Sequence, residues 1–326
     1  MASTQQSPTG HPGPATPAGP GAGSARPVVP ARRRRRRLTR RDVLVLSALI
    51  GIPVLLDVAL IWGPTLASIG LSFTDYNGFT GKAVGLRNYH DLFTSYPPFW
   101  RAVRNNVLWL LFLGVIATPL GLFFAVLLDK RIRFGRFYQS ALYLPVVLSL
   151  AVVGFISQLV FSRDYGALNS VLSSAGAIDR PVDWLGDPSI NIWAMLVAAG
   201  WRHVGYVMIL YLAGLKAVDP ALKEAAAIDG ADERQTFFRV VFPTLRPVNV
   251  LVLVITIIEG LRAFDIVYAV NQGRNGLELL SVLVTQNIVG EASRIGFGSA
   301  LAVVLLLVSM GFVVTYLIQI FREDRR

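Results

Sequence analysis

Six uninterrupted apolar windows, each about 20 residues long, constrain this chain more than any other feature. Each window is long enough to cross about 30 Å of hydrocarbon as an α-helix. The windows therefore predict an all-α fold, a polytopic membrane helix bundle with six transmembrane helices. Prolines inside three of the windows predict kinks, because a buried helix tolerates proline when its neighbours satisfy the freed carbonyl groups. The windows are 43–62, 107–128, 141–161, 192–215, 248–270 and 299–321, and the prolines are Pro53, Pro119 and Pro145.

The composition supports a membrane protein and narrows the chemistry. Of the 326 residues, 53% are hydrophobic and only 16% are charged, where soluble domains usually carry about a quarter of charged residues. The chain has no cysteine, which excludes a disulfide scaffold, a thiolate metal site and a cysteine nucleophile. It has three histidines, at positions 11, 90 and 203, and no His-Glu-x-x-His or Gly-x-Ser-x-Gly motif. A membrane-embedded enzyme needs such a cluster, so this class is disfavoured, and no cofactor or metal is expected.

The first 41 residues differ from the rest. They are rich in proline, glycine, alanine and serine, so they cannot bury enough apolar surface to fold. We expect a disordered basic tail over 1–41 and a membrane domain over 42–326. Six consecutive arginines, at 32–37, stand just before the first apolar window. Nucleic-acid binding is one interpretation of such a block, but a basic cluster beside a span more often sets orientation and contacts anionic membrane lipid.

Loop charges orient the six windows. If the basic tail is cytoplasmic, alternation places three basic segments on the cytoplasmic side, as the positive-inside rule requires. The opposing loops mix both signs of charge. Both termini should therefore be cytoplasmic. The basic residues are Lys130, Arg131, Arg133 and Arg136, then Lys216, Lys223, Arg234, Arg239 and Arg246, then Arg322, Arg325 and Arg326.

A polar segment over 221–247 lies between the fourth and fifth windows. We expect residues 221–231 to be helical, with Asp219 as N-cap, Pro220 in the first turn and Gly230 at the end. A second helix should run over 232–242 and stop at Pro243. The small residues Ala225, Ala226 and Ala227 leave a helix backbone that another protein can approach closely. Docking a partner and resting on lipid are both open for such a surface helix.

The residues of this segment resemble the EAA loop of ABC importer permeases. That loop reads Glu-Ala-Ala, three residues, Gly, nine residues, then Ile-x-Leu-Pro, and the spacing here is the same. Val240 and Phe242 stand in place of the commoner Ile and Leu. The matching residues, which the resemblance assigns to coupling with an ATPase, are Glu224, Ala225, Ala226, Asp229, Gly230, Ala231 and Pro243.

Further stretches resemble carbohydrate-importer permeases of the maltose-transporter first-subunit type. Among them are "LSFTDYN", "GLRNYHDLF" and "AFDIVYAVNQG". Where that family continues with Gly-Gly-Pro, this chain has residues 272–275, Gln-Gly-Arg-Asn. The resemblance implies that a second permease subunit completes the path for a sugar, which an extracytoplasmic solute-binding protein delivers at a prokaryotic cell membrane. It also implies that a cytoplasmic dimer of ATP-binding subunits supplies energy, and this chain has no Gly-x-x-x-x-Gly-Lys-Ser/Thr phosphate loop of its own. A polyol or glycerol phosphodiester cargo remains an alternative.

Polar residues inside the windows are candidates for the cargo path, because ionisable groups are costly in a membrane unless paired or facing water. Glu259, Arg262 and Asp265 are spaced i, i+3 and i+6, so on one helix Arg262 would reach a carboxylate on each side. Two interpretations are open: a self-neutralising structural patch, or carboxylates that bind cargo hydroxyl groups. Trp201 and Tyr206 could stack on a sugar ring, although aromatic residues in spans more often pack or anchor.

Overall fold

The computed structural model describes residues 39–130, 132–290 and 293–323. The predicted disordered tail therefore lies, apart from residues 39–41, outside the described residues. The chain divides into two units, residues 1–55 and 56–326. In the first unit, the described residues form most of helix α1, whose apolar side chains are all exposed, and Thr39 and Asp42 exchange hydrogen bonds at its start.

The described part of the chain is built from helices, with one isolated β-bridge between Thr74 and Ala83. Three π-helical segments, Val58–Trp62, Phe112–Ala117 and Phe237–Val241, interrupt or join α-helices. The α-helices are α1 Arg40–Asp57, α2 Gly63–Leu71, α3 Arg87–Thr94, α4 Pro97–Leu111, α5 Thr118–Asp129, α6 Gly135–Val147, α7 Leu150–Phe161, α8 Ala167–Ser174, α9 Asn191–Ala217, α10 Pro220–Ile228, α11 Glu233–Thr236, α12 Phe242–Thr244, α13 Arg246–Leu261, α14 Asp265–Asn271, α15 Leu280–Ile288 and α16 Ile295–Glu323.

Within the described residues, four helical runs are long and apolar enough to cross a membrane without a break. They contain the first, second and fourth predicted windows and most of the sixth. The second run joins α4 and α5 through a π-helical segment, so its residues continue one rod of 33 residues. The runs are Arg40–Leu71, Pro97–Asp129, Asn191–Ala217 and Ile295–Thr315.

The third and fifth windows are each broken into two helices, so the count of six transmembrane helices stays a prediction. Helices α6 and α7 meet at an angle of 104°. Leu148 is extended there, and the Ser149 side chain accepts a hydrogen bond from the Val152 amide, so a new helix begins just after Pro145. The fifth window is interrupted between α13 and α14, at residues 262–264, which we call the helix break.

Side chains of neighbouring helices satisfy backbone groups around the helix break. The Asn106 amide of α4 donates to the carbonyls of Gly260 and Leu261 at 3.2 and 3.4 Å, and it accepts from the Leu280 amide at 3.0 Å. Ser281 of α15 donates to the Ala263 carbonyl at 2.5 Å. Irregular backbone at membrane depth requires such partners, so the break is fixed by tertiary contacts.

Helix α9 occupies the centre of the second unit. Two-thirds of its apolar stretch is buried, including Met195, Leu196 and Met208. Helix α5 packs directly on α9 at Gly121, where an added Cβ would lie 2.8 Å from the Val207 side chain. A hydrogen in place of a side chain thus allows the two backbones to approach closely, as small residues do between membrane helices.

We predict that Gly121→Ala destabilises the protein by about 1–3 kcal/mol, because the added methyl group overpacks the contact with α9. Gly114→Ala lies on the same rod, and its Cβ would meet nothing within 4 Å, so it serves as the control. Thermal unfolding in detergent measures both. Equal unfolding midpoints for the two variants would contradict the close α5–α9 contact.

Candidate functional site

The first helix of the EAA loop (residues 221–247) has the predicted caps. The Asp219 side chain accepts a hydrogen bond from the Ala221 amide at 2.9 Å, and Pro220 begins α10. Gly230 has φ +80°, a left-handed conformation that glycine adopts without steric cost. The prediction that Gly230 ends this helical stretch is confirmed, and the α-helix itself runs Pro220–Ile228.

The second half of the loop begins as predicted but ends later. Asp232 caps α11 by accepting a hydrogen bond from the Gln235 amide, and the Asp232 amide in turn donates to the Gln235 side-chain oxygen. Helical residues then continue through the π segment into α12, Phe242–Thr244. The predicted stop at Pro243 is wrong, because Pro243 lies in the first turn of α12, where its missing N–H costs nothing.

The outer surface of the loop is exposed and unusually apolar. Glu224, Ala225 and Asp229 are exposed, whereas Ala226 is buried against the protein. Ile228 is 86% exposed and Phe238 59% exposed. Exposed apolar groups with charged edges are typical of a surface that binds another protein.

Two ion pairs, which we call the charge clamp, bind the loop to the end of α5. Asp129 lies 3.3 Å from the Lys223 ammonium of α10, and Lys130 lies 2.5 Å from the Glu233 carboxylate of α11. A groove of about 610 Å³ runs beside them. Sequence reasoning missed the clamp, since its partners are 94 and 103 residues apart and no spacing pattern reveals such pairs.

The three charged residues of the fifth window do not share one helix. Glu259 lies in the last turn of α13, Arg262 follows the end of that helix, and Asp265 begins α14. The prediction that Arg262 reaches a carboxylate on each side along one helix is therefore wrong, because the helix break separates Glu259 from Asp265. The ion pair of Glu259 is instead with Arg202 of α9, at 3.5 Å.

A cavity of about 220 Å³, the inner cavity, brings these charges together at the helix break. Glu259, Arg262 and Asp265 all line it, together with His203 and Phe264, and seven apolar or aromatic neighbours also contribute. Those neighbours include Trp109, Leu113, Leu150, Ala199 and Ile266. Arg262 and Asp265 also line a second, more apolar groove of about 550 Å³ between α13, α15 and α16. Polar groups that line a cavity at a broken membrane helix are typical of a transport site.

A buried polar cluster joins three helices beside the inner cavity. The His203 Nε2 atom lies 3.2 Å from the hydroxyl groups of both Thr118 on α5 and Thr256 on α13. His203 therefore links α9 to both α5 and α13 through hydrogen bonds. In the described ranges, no group of three or more His, Cys, Asp or Glu side chains has metal-binding geometry.

The two aromatic candidates lie on α9 but do not line the inner cavity. Trp201 is 44% exposed and Tyr206 is half-buried. The two residues flank His203 in the sequence of α9, but they are not part of its polar cluster. Their assignment to the cargo path stays a prediction.

Comparisons with known proteins agree with this geometry. Residues 117–326 match the family described as "Binding-protein-dependent transport system inner membrane component". The chain is 34% identical to the xylose/arabinose import permease protein XacH of Haloferax volcanii, over 84% of this chain and 87% of that protein. It is 31% identical to the trehalose/maltose transport system permease protein MalF of Thermococcus litoralis, over 74% of this chain and 81% of that protein.

The fold also matches a solved structure. A chain of a bacterial ABC transporter involved in the import of the acidic polysaccharide alginate superposes with a TM-score of 0.74. The match covers 86% of this chain and 96% of that one, at 22% sequence identity. At 22% sequence identity, this structural similarity establishes the fold alone.

We predict that Arg202→Met destabilises the protein by about 1–3 kcal/mol, because it leaves Glu259 without its partner. This loss of stability is smaller than for a fully buried ion pair, because the two side chains are 21% and 34% exposed. Arg262→Met should cost less, because the ion pair of Glu259 is with Arg202. Thermal unfolding of both variants measures this order, and a larger loss for Arg262→Met would contradict the pairing.

Proposed function

Since the chain belongs to the family of binding-protein-dependent transport system inner membrane components, we propose that it is the permease subunit of an ATP-driven importer for a sugar or oligosaccharide. The exposed EAA loop, with two capped helices and an apolar outer surface, is the observation that carries this proposal. The named relatives, a xylose/arabinose permease and a trehalose/maltose permease, support a carbohydrate cargo. A second permease subunit completes the path, and an extracytoplasmic solute-binding protein delivers the sugar.

The EAA loop is the docking element for a cytoplasmic ATPase dimer, which hydrolyses the ATP. Glu224, Ala225, Asp229 and Gly230 lie on its exposed surface, where a partner can reach them, and Ala226 fixes α10 to the protein from beneath. A helix that is capped at its start and closed by a left-handed glycine is stiff. Stiffness suits a lever, because closure of the ATPase dimer must move the spans between inward and outward openings.

The protein lies in the cell membrane of a prokaryote with both termini cytoplasmic. The loop charges support this orientation, because the basic residues Lys130, Lys223 and Arg234 fall on the same side of the alternating spans as the EAA loop. The tail over 1–41 precedes the permease domain over 42–326 and contacts anionic lipid through its arginines.

The inner cavity is the cargo path. It combines carboxylates, an arginine and an aromatic ring, and so it offers hydroxyl-binding groups beside an apolar face. The ion pair between Arg202 and Glu259 leaves the charges of Arg262 and Asp265 to face the cavity and the adjoining groove. These groups interact with the sugar as it passes, and Trp201 and Tyr206 of α9 extend the path.

We predict that Gly230→Trp abolishes transport while the protein still inserts in the membrane. Gly230 has φ +80°, so the bulky residue strains the turn and blocks close approach of the ATPase. The measurement is ATP-driven sugar uptake in proteoliposomes that contain both permeases and the ATPase and are supplied with the solute-binding protein. Gly176→Trp is a matched control, because Gly176 is also left-handed with open space around it. Uptake by Gly230→Trp at the control level would contradict the docking role.

We predict that Glu259→Gln or Asp265→Asn lowers sugar uptake about ten-fold or more, because each removes a carboxylate of the inner cavity while keeping its shape. Uptake is compared per assembled complex, because Glu259→Gln also removes the ion-pair partner of Arg202, and basal ATPase activity per complex should not change. Asp179→Asn, at an exposed position outside the cavity, is the control. Normal uptake by both variants would make the charged residues structural and remove them from the path.

A further inference from the structure

The charge clamp attaches helix α5 to both helices of the EAA loop. Its two pairs have opposite sense: the acid Asp129 belongs to α5 and its base Lys223 to the loop, whereas the base Lys130 follows α5 and its acid Glu233 belongs to the loop. Resting on the proposed docking role of the loop, we propose that Asp129, Lys223, Lys130 and Glu233 are positioning residues. They make α5 the element that carries movement of the docked loop to the inner cavity.

Helix α5 connects the clamp to the cavity without a flexible joint. Thr118 and Asp129 are the first and last residues of the helix, and 11 residues at 1.5 Å each separate them by about 17 Å. At the far end, the Thr118 hydroxyl lies 3.2 Å from the His203 Nε2 atom, and His203 lines the inner cavity. A rigid helix between two polar contacts moves both when either one moves.

Packing along α5 keeps this connection stiff. At Gly121 the backbone of α5 lies against Val204 and Val207 of α9, and Ala125 is completely buried one turn further on. Close-packed helices slide or tilt as units because their interface has no room for local bending. A shift of the clamp therefore reaches the His203 cluster and, through Thr256, helix α13 beside the helix break.

At the loop end, the ion pairs act together with apolar packing, in which Val241 and Phe237 of the loop share a cluster with Ala125 of α5. The groove of about 610 Å³ lies between α5 and the loop and is lined by all four clamp residues and by Phe237. Apolar contact is incomplete there, so it does not fix the position of the loop alone. The clamp side chains are between 24% and 85% exposed, and pairs with such exposure add little to stability.

The two pairs are weak, but their opposite sense can fix the position of the loop along α5. If the loop slid so that Lys223 approached Lys130, or Glu233 approached Asp129, like charges would face each other, which is unfavourable. The clamp therefore specifies one register between α5 and the loop. Loss of a pair should uncouple ATP hydrolysis from transport while the folded protein and its bound ATPase remain.

The test uses charge reversal in the complete importer, with both permeases and the ATPase reconstituted in proteoliposomes and the solute-binding protein supplied. The variants are Asp129→Lys, Lys223→Asp and the fourfold exchange Asp129→Lys, Lys223→Asp, Lys130→Glu and Glu233→Lys, which restores both ion pairs and keeps their senses opposite. The measured quantities are ATP hydrolysed per sugar transported and the amount of ATPase that copurifies. We expect each single variant to raise the ATP cost per sugar about five-fold or more, and the fourfold exchange to return it close to the wild-type value.

Two controls keep the outcome interpretable. Lys216→Asp reverses an exposed charge near the same loop outside the clamp and should leave the ratio unchanged. Asp129→Asn and Lys223→Gln remove the pair without repulsion and report on the clamp if a reversed variant fails to assemble. A wild-type ratio in these neutral variants, or a fourfold exchange that stays uncoupled, would overturn the clamp. If Gly230→Trp uncouples while the clamp variants do not, the docking role stands and only this inference fails.

Discussion

In hydrocarbon an unpaired backbone carbonyl or amide is so costly that a membrane helix can break only where other side chains take over its hydrogen bonds. The Asn106 side chain does this at the helix break by serving two carbonyls of α13 and one amide of α15 at once. Gln158 of α7 does the same at the end of α14, where it donates to the carbonyls of Ala269 and Val270. These amide side chains make a cavity lined by charged residues possible inside an apolar bundle.

The charges at the break depend on the same arrangement. Because α13 ends at Leu261, Arg262 and Asp265 leave the helix face of Glu259, and Arg202 of α9 becomes the partner of Glu259. His203, the next residue of α9, reaches Thr118 and Thr256. Helix α9 therefore holds the centre of the protein, and α5 and α13 meet on it through hydroxyl groups rather than through apolar contact alone.

Features set by neighbouring residues could be predicted from the sequence, and features set by distant contacts could not. The N-cap of α10 by Asp219, the left-handed Gly230 and the start of α11 at Asp232 follow from short-range patterns, and the apolar windows gave four continuous runs for the same reason. The helix break follows from Asn106, more than 150 residues away in sequence. The charge clamp likewise joins residues that only the tertiary structure brings close together. The i, i+3 spacing predicted the wrong partners for Arg262, because it assumes one unbroken helix.

The docking role of the EAA loop is the central claim, and the absence of cysteine from the chain allows a direct measurement of it. Ile228→Cys places a single thiol at a position that is 86% exposed, and Phe79→Cys places one at a position that is 95% exposed in the loop expected on the opposite side. A membrane-impermeant maleimide should label Ile228→Cys only in inside-out vesicles, and assembly with the ATPase should protect it, while Phe79→Cys reacts only in right-side-out vesicles whether or not the ATPase is present. Labelling of Ile228→Cys from outside the cell, or labelling that the bound ATPase does not reduce, would contradict the docking role.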